Sequence, residues 1–408
     1  MKSKKYDDSG PDETSHSNNA TRVLFIDHSG EIGGGQLVLE QMATRLPLAV
    51  RVAFLSPGPM CDRLADLGIY VTCIRGASGL IALGKETSLV SRLWAMRLLP
   101  KLIHQLAGEA RQVEVVYANS KKALLPAALA ASVARRPLIW HLHDEMHSPR
   151  LLPLRGRLSE MLLVWLGNRI ATRVISVSQA SADTLAHAGG RSDLAVVIHN
   201  GVDSANYVQS IDRLEVRRSA GLPEHEPLVG CFGRLTAWKG QIVLIDALAM
   251  LPDIHVAVVG GAAFGESGYE AELRERADRL GVLDRVHFLG HRNDISVLMR
   301  SVDAIAHTSI EFDPCPLVVI EALHSRTPLV ASAVGGVPEL VENEVTGLLV
   351  PPNDASALAT ALRRITENVE FGERLADAGR QHAQIYFSID RVMAEIEREI
   401  RAVSVSTK

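Results

Sequence analysis

The chain has 408 residues, of which 47% are hydrophobic and 22% are charged, and its formal net charge is -4. This length exceeds what one hydrophobic core usually serves and predicts about two or three domains, while the composition is that of an ordinary globular protein. The slight acidic balance argues against a nucleic-acid-binding protein, since such proteins carry a basic excess.

Three features of the whole chain bear on its location. Residues 1–20 are polar, so they predict a disordered tail and not a secretory signal peptide. No apolar run approaches the roughly 20 residues of a membrane-spanning helix. The cysteines stand far apart, so we expect buried free thiols in a reducing compartment and neither a disulfide nor a metal site. They are Cys61, Cys73, Cys231 and Cys315. Together these features predict a cytoplasmic protein.

The body of the chain begins with an apolar run at Arg22–Asp27, followed by Gly33-Gly34-Gly35 and a helical pattern from Gln36 to Arg45. Further apolar runs of strand length alternate with helical patterns, which predicts a parallel sheet with helices on both faces. These strands are expected at Ala49–Leu55, Tyr70–Ile74, Val113–Tyr117, Leu138–Leu142, Val174–Val177 and Ala195–Ile198.

The pattern restarts after a turn signal at Asn200–Asp203, which we interpret as a hinge, and a charged stretch that predicts a short helix and linker at Ile211–Glu226. The second set of strands is expected at Leu228–Phe232, His255–Val259, Val286–Leu289, Ala304–His307, Leu329–Ala331 and Gly347–Val350. The helices of this half are expected at Gln241–Met250, Tyr269–Leu280, Pro316–Ser325 and Ala355–Ile365.

The domain boundaries follow from this repeat. We expect a tail at 1–20, an N-terminal Rossmann-like domain at 21–203, a C-terminal Rossmann-like domain at 204–386, and a terminal helix at 387–408. The terminal helix has one apolar face and is expected to pack back on the first domain. Two doubly wound α/β domains facing a cleft hold ligands at the carboxyl ends of their strands.

Two cations stand on a glycine-rich turn directly after the strand predicted at Leu228–Phe232. Arg234 offers a planar fork for phosphate oxygens and Lys239 a point charge, while Gly233 and Gly240 let the backbone approach a ligand closely. The competing interpretation is a surface turn with two solvated charges. Taken alone, the pattern is compatible with both.

Acidic residues flank a second turn, which opens the helix predicted at Pro316–Ser325. The amides of Leu317 and Val318 at its N-terminus offer an anion site for a phosphate. Glu321, one turn further, can accept hydrogen bonds from two ribose hydroxyls, and Asp313 on the preceding loop can reach sugar hydroxyls. A carboxylate that merely pairs on a helix face is the alternative for Glu321, but its apolar surroundings favour a functional one.

Other patterns in the chain give weaker indications of function. The run Gly33–Gly35 lacks the Gly-x-Gly-x-x-Gly spacing of a dinucleotide site, because Leu37 and Val38 occupy the later positions. No Asp-x-Asp pair stands in a suitable place, so we expect no metal ion and no other cofactor. Two basic, apolar stretches, Ser88–Leu106 and Leu151–Arg169, fit either an anionic lipid surface or ordinary packing on the sheet.

The motifs follow one another in a set order: a glycine-rich loop, a strand ending in His-Asp, Asn-Gly-Val-Asp, Gly-Arg-Leu with Lys-Gly, Phe-Leu-Gly, an acid-x7-Glu helix and Gly-Gly-Val-Pro-Glu. In this order, over residues 21 to 390, the chain resembles family-4 retaining glycosyltransferases of the GT-B fold. The resemblance implies transfer of a sugar from a UDP- or GDP-linked donor to a hydroxyl acceptor with retention of configuration, in the synthesis of cell-surface polysaccharide or glycoconjugate.

The resemblance also implies that the domain at 21–203 binds the acceptor and that the domain at 204–386 binds the nucleotide sugar, and it assigns roles to single residues. Arg234 and Lys239 would clamp the diphosphate, Glu321 would hold the ribose, and Asp313 would contact the transferred sugar. The family usually has glutamate at the position of Asp313, so Glu311, two residues earlier, is the alternative for that contact.

Further contacts are implied in the same way. His143 would touch the donor sugar near the reacting carbon, with His141 as its alternative. The remaining donor contacts would be Gly34 and Gly35 against the phosphates or the acceptor, Gly233 and Pro316 beside the diphosphate, and Gly290 and His291 at the base.

No dedicated carboxylate nucleophile is evident, so we expect a same-face displacement in which the leaving phosphate receives the acceptor proton. The acceptor is expected to be a carbohydrate or a lipid-linked molecule. If the two basic stretches bind anionic lipid, the cytoplasmic protein would contact the inner face of the membrane. Competing hypotheses are a sugar-nucleotide epimerase, a phosphorylase, which would need a pyridoxal-bearing lysine, and a non-catalytic nucleotide-sugar-binding protein on the same fold.

Overall fold

The computed structural model describes residues 21–74, 89–147, 154–261 and 268–405, and within these ranges all side chains except those of 89–98 and 154–155. The tail predicted at 1–20 lies outside the described residues. The same holds for several side chains of the two basic stretches, namely Arg92, Trp94, Arg97, Arg150 and Arg155.

A seven-stranded sheet forms the first half of the fold, with the strand order β3-β2-β1-β4-β5-β6-β7. Its apolar runs are buried on both faces, as is typical of parallel strands covered by helices; all residues of β4 and β5 are buried. The strands are β1 (Arg22–Asp27), β2 (Ala49–Phe54), β3 (Tyr70–Cys73), β4 (Val115–Ala118), β5 (Leu138–Leu142), β6 (Ala171–Ser176) and β7 (Ala195–Val197).

The helices of this half connect the strands in the right order for a doubly wound sheet. They are α1 (Gly34–Arg45), α2 (Pro59–Asp66), α3 (Leu89–Ala110), α4 (Leu124–Ala134), α5 (Leu154–Ile170) and α6 (Gln179–His187). The chain adds β2 and β3 on one side of β1 and then crosses to its other side with β4. Such a crossing creates a topological switch point, where a crevice opens at the carboxyl ends of the strands.

A six-stranded parallel sheet forms the second half, with the order β10-β9-β8-β11-β12-β13. Its switch point lies between β8 and β11, so the loops that follow these two strands meet at one edge. The strands are β8 (Leu228–Phe232), β9 (His255–Val259), β10 (Val286–Gly290), β11 (Ala304–His307), β12 (Leu329–Ser332) and β13 (Leu348–Val350).

Nine helices among the described residues accompany this sheet and close the chain. They are α7 (Arg213–Ser219), α8 (Gln241–Leu248), α9 (Tyr269–Arg279), α10 (Ile295–Ser301), α11 (Leu317–His324), α12 (Val337–Leu340), α13 (Ala355–Glu367), α14 (Val369–Tyr386) and α15 (Ile389–Val405). All thirteen predicted strands are present, and the prediction of two doubly wound sheets is confirmed.

The core of the second sheet has two layers, one on each face, because strand residues alternate. Val229 and Cys231 of β8 pack into one cluster with helices α8, α9 and α13. Leu228 and Phe232 of the same strand pack into the other, beneath α10 and α11. Burial on both faces leaves the loops at the strand ends as the places where polar side chains gather.

The residues group into two compact units. The first consists of the described residues of Met1–His141, Leu166–Arg173 and Glu397–Lys408, and the second of those of Leu142–Trp165 and Val174–Ile396. Within the first, Arg173 Nε lies 2.9 Å from Glu399 Oε2 of the last helix. The boundaries predicted at residues 203 and 386 differ from this division and remain predictions.

Two further findings concern the whole-chain expectations. Cys61 of α2 and Cys73 of β3 form a disulfide, so the expectation of four free thiols was wrong for this pair. The two cysteines are 12 residues apart in sequence, and α2 packs beside β3 and brings their sulfur atoms together. Cys231 and Cys315 are buried free cysteines. Among the described residues no helix is long and apolar enough to cross a membrane.

Candidate active site

The loop after β8 brings Arg234 and Lys239 close to one aromatic ring. Gly233, with φ of +136°, turns the chain out of the strand, and Ala237–Lys239 then forms one turn of 3-10 helix. The Trp238 ring centroid lies 5.9 Å from the Arg234 guanidinium carbon and 4.3 Å from Lys239 Nζ. Both cations are therefore held at one indole ring, which the sequence interpretation did not anticipate.

This loop is fixed against the end of β11. Ile310 donates its amide proton to the Trp238 carbonyl at 2.9 Å, and Thr308 donates its hydroxyl proton to the Lys239 carbonyl at 2.9 Å. Gly240 has φ of +65°, and a Cβ there would lie 2.2 Å from the Thr308 carbonyl oxygen. Glycine is required at this position by both its backbone angle and the lack of space.

Asp313 is the anion at the centre of this loop cluster. Its Oδ2 accepts a hydrogen bond from Lys239 Nζ at 2.6 Å and one from the Ser309 hydroxyl at 2.9 Å, and His307 Nε2 lies 2.9 Å away. Asp313 is 4% exposed. Burial raises its pKa, but the charge of Lys239 and the hydrogen bond of His307 outweigh this and hold the pKa well below its usual range.

These contacts bear on the role expected for Asp313. Its carboxylate is engaged with Lys239, whereas Glu311, the alternative for the sugar contact, is exposed. Burial lowers the pKa of His307 more than the nearby Asp313 raises it. Asp313 therefore orients Lys239 directly, and whether it or Glu311 contacts a sugar stays a prediction.

Helix α11 begins beside this cluster and has an open N-terminus. Pro316 is its N-cap residue, so the helix begins at Leu317, one residue later than predicted. Among the described residues no side chain caps it, and no group accepts a hydrogen bond from the amides of Leu317 or Val318. Amides of this kind favour an anion, as does the positive end of the helix dipole.

Glu321 lies on the second turn of α11 among buried neighbours. Burial raises its pKa to about 7, so the ionised form is costly in the free protein. None of the described residues donates a hydrogen bond to its carboxylate. A partly buried carboxylate without donors is uncommon in proteins and is satisfied when a ligand supplies hydroxyl groups.

Gly290 and His291 follow β10, two strands away from β8 in the same sheet. Gly290 has φ of +63° and accepts a hydrogen bond from the Gly260 amide at 2.9 Å, while His291 is exposed. A Cβ on Gly290 would meet no atom within 4 Å, so the glycine is explained by its backbone angle. Residues 262–267 lie outside the described ranges.

The first unit has a polar cluster at its own switch point, which the sequence interpretation missed. Asp27, at the end of β1, is fully buried and accepts hydrogen bonds from Asn119 Nδ2 at 2.6 Å and Gln36 Nε2 at 3.0 Å. Asn119 also donates to the Gly35 carbonyl at 3.0 Å, which fixes the start of α1. The helix begins at Gly34, where a Cβ would meet no protein atom, so the space there is open for a ligand.

The two histidines near the end of β5 differ in burial. His141 is 2% exposed, and its Nδ1 lies 2.9 Å from the Tyr117 hydroxyl, which makes it a core residue of the first unit. His143 follows the end of the strand and is partly exposed. Between the two, His143 has the better access to a ligand.

The chain is similar to known proteins over most of its length. Residues 32–206 match the Glycosyltransferase Family 4 profile, and residues 212–382 match the profile of glycosyl transferases group 1. The solved structure of Anabaena Alr3699/HepE with UDP is 34% identical, with a TM-score of 0.81, over 94% of this chain and 100% of that one. The same protein has also been solved with UDP and glucose.

Curated relatives match over a shorter range. D-inositol 3-phosphate glycosyltransferase of Corynebacterium aurimucosum is 34% identical over 52% of this chain and 52% of its own length. The lipopolysaccharide core biosynthesis mannosyltransferase LpsB of Rhizobium meliloti is 32% identical over 40% of this chain and 48% of its own length. The chain spans about half the length of the curated relatives it matches.

The family assignment rests on the match to the Anabaena protein, because it covers all of that chain. That relative, at 34% identity and a TM-score of 0.81, is covered along its whole length, and the match covers 94% of this chain. The chain therefore belongs to the glycosyl transferases group 1 family and has the GT-B fold.

Proposed function

We propose that this protein is a retaining glycosyltransferase, which moves a sugar from a nucleoside diphosphate donor, UDP- or GDP-linked, to a hydroxyl group of a carbohydrate or lipid-linked acceptor. The observation that supports it best is one edge of the second sheet, where Arg234, Lys239, the amides of α11 and Glu321 gather. Cations and amides suit a diphosphate, and a carboxylate without donors suits a ribose.

Each group has a distinct task in this proposal. Arg234 and Lys239 bind the diphosphate, with the amides of Leu317 and Val318 on the distal phosphate. Glu321 accepts hydrogen bonds from the two ribose hydroxyls, which replace the donors that it lacks in the free protein. The UDP complexes of the similar Anabaena protein make UDP the first nucleotide to test.

The transfer itself breaks one bond and forms another. The acceptor oxygen bonds to the anomeric carbon while the bond from that carbon to the phosphate oxygen breaks, and the acceptor proton passes to the leaving diphosphate. Negative charge builds on the leaving oxygen, where fixed cations stabilise the transition state by about 3 kcal/mol per group. Because Lys239 is held by Asp313, its ammonium needs little rearrangement as that charge develops.

Asp313 has two proposed tasks. It holds Lys239 in place, and it remains our candidate for the sugar contact by its spacing from Glu321. Glu311 is exposed and is the alternative. The family resemblance also implies donor contacts for five further residues, and these contacts remain proposals. The residues are Gly34, Gly35, His143, Gly290 and His291.

A peripheral membrane contact is part of the proposal for a lipid-linked acceptor. Helix α5 exposes four apolar side chains at helical spacing, each 43% to 58% exposed: Leu158, Met161, Leu162 and Trp165. Arg157 is exposed on the same helix. An exposed apolar stripe beside a cation suits the interface of an anionic membrane.

The proposal is tested with a panel of UDP-, GDP-, ADP- and TDP-sugars in a thermal-shift assay, because a bound donor raises the midpoint of unfolding by mass action. We expect one nucleotide to raise the midpoint selectively. Donor consumption is then followed with and without candidate acceptors. Conversion of the donor to another nucleotide sugar without an acceptor would indicate an epimerase, and selective binding without consumption would indicate a non-catalytic binding protein.

A further inference from the structure

A cleft of about 570 Å³ opens at the amino-terminal edge of the second sheet. Pro227, Asp303 and Pro328, which directly precede β8, β11 and β12, line it. The loops that carry Arg234 and Asp313 follow the carboxyl ends of β8 and β11, so the cleft lies at the opposite edge of the sheet. Its volume is in the range of small-molecule sites, roughly 300–1,000 Å³.

Two arginines that line the cleft form no ion pair with an acidic residue in the part of the chain that the structure describes. Arg300, on α10, donates hydrogen bonds to the backbone carbonyls of Ser296, at 3.2 Å, and Gln209. Arg380, on α14, has no hydrogen-bond or ion-pair partner in the described part of the chain. Asp377, one turn before it on α14, is already bound by Arg326 Nη2 at 2.9 Å.

The charges around the cleft have a positive excess. Four arginines and two acids line it, and one of these acids, Asp303, is bound by Arg213 at 2.7 Å. Burial, and after it the charge of Arg380, lower the pKa of Arg300. A partly buried guanidinium beside a second one is in a costly state, which a bound anion relieves.

The rim of the cleft is apolar. Val208 is 61% exposed and Val369 is 64% exposed, although both are aliphatic. Tyr207 also lines the cleft, and its ring stacks on His324 of α11 at a centroid distance of 6.1 Å. An occupant would therefore lie one aromatic ring away from the helix that carries Glu321.

We propose that this cleft binds a small phosphate monoester with a partly apolar body, whose phosphate contacts Arg300 and Arg380 and whose body packs on Val208 and Val369. Guanidinium groups suit phosphate oxygens because they donate paired hydrogen bonds in a fixed plane. The site is separate from the donor site, and the proposal holds whether or not the protein transfers sugars.

The test is calorimetric titration with phenyl phosphate at constant ionic strength. It is done in the Arg234→Ala background, so that the predicted diphosphate site contributes less. We expect one saturable site, and a loss of affinity of about tenfold or more in Arg380→Gln and in Arg300→Gln, since each removes a charge-assisted contact. Arg374→Gln, an exposed position on the same helix α14, is the matched control and should bind as its parent does.

The apolar part of the proposal has its own readout. Val369→Ser should weaken the binding of phenyl phosphate more than that of methyl phosphate. Arg380→Gln removes no hydrogen bond or ion pair among the described residues, so it should fold even if Arg300→Gln does not. Absence of saturable binding, or equal affinity in Arg380→Gln and Arg374→Gln, overturns the proposal.

Discussion

Replacement of Glu321 by glutamine is expected to stabilise the free protein and at the same time weaken its binding of the donor. Glu321 has a pKa raised from 4.5 to about 7 because it is buried without hydrogen-bond donors among the described residues. A raised carboxyl pKa means that the folded state holds its proton more tightly than the unfolded chain does. The free energy of unfolding therefore falls as the pH rises from about 4.5 to about 7.

The magnitude follows from the size of the shift. Each pKa unit corresponds to about 1.4 kcal/mol, so ionised Glu321 costs the fold about 3 kcal/mol at pH 8 and about 1 kcal/mol at pH 5. Glutamine has nearly the same shape and carries no charge. Glu321→Gln should thus unfold at a higher temperature than the wild type, with a larger difference at pH 8 than at pH 5.

Donor binding should change in the opposite direction. Glutamine is a weaker acceptor for two ribose hydroxyls than a carboxylate, so we expect the dissociation constant for UDP to rise roughly 10- to 100-fold at pH 8. In the wild type, affinity should increase with pH through about 7, as Glu321 ionises, and the variant should lack this increase.

The assay is thermal unfolding at pH 5 and pH 8, paired with calorimetric titration of UDP at both values. Glu311→Gln, at an exposed carboxylate before the same helix, is the control for stability and should match the wild type. The reasoning would be refuted if Glu321→Gln had the same stability as the wild type at pH 8, or if it bound UDP equally well.

Four further outcomes are expected. Asp313→Asn removes the anionic partner of Lys239 and should lower kcat/KM about tenfold or more; an effect of Glu311→Gln alone would show that assignment by spacing is wrong. Gly240→Ala should cost about 1–3 kcal/mol of stability, because its Cβ would meet the Thr308 carbonyl at positive φ. Gly108→Ala, within helix α3 where a Cβ would meet no atom within 4 Å, should not. Transfer activity should persist after treatment with EDTA, since Arg234, Lys239 and the α11 amides are proposed to neutralise the negative charge of the diphosphate. Complete loss of activity that a divalent ion restores would contradict this prediction. Trp165→Glu should abolish co-sedimentation with anionic vesicles, and Val133→Glu, equally exposed on α4, should not. Equal binding by both variants would refute the proposal that the exposed side chains of α5 contact the membrane.

The sheets could be predicted because parallel strands are buried on both faces. Each then appears as a short apolar run, and β8, β9 and β11 lie at the predicted residues without any shift. Helix α14, Val369–Tyr386, was not predicted. Its buried positions recur at helical spacing, with Phe371, Leu375, Gly379 and Ala383 on one face, so an apolar period was present that the sequence interpretation missed.

The site could be predicted only in part. Arg234 and Lys239 follow a strand, and strand order brings them to the switch point, so their position follows from topology. The contact of Asp313 with His307 and Ser309 depends on side-chain packing across residues 307–313, which no spacing rule reveals. The same is true of the disulfide between Cys61 and Cys73, which depends on how a helix lies beside a strand.

One feature of the sequence indicates the polar cluster around Asp27. Asp27 ends an apolar strand, and a carboxylate at that point is buried only if donors surround it. Its side-chain donors are Gln36, nine residues along the chain, and Asn119, which lies far away in the sequence. A single sequence therefore shows the acid but not its partners.

The most direct test of the account is UDP binding by the wild type, Arg234→Ala and Lys239→Ala, measured by calorimetry at pH 8. If these cations hold the diphosphate, each variant should bind UDP roughly 10- to 100-fold more weakly, while Arg279→Ala, at an exposed arginine of α9, should bind it as the wild type does. Unchanged affinity in both Arg234→Ala and Lys239→Ala would contradict the assignment of this edge of the sheet as the donor site.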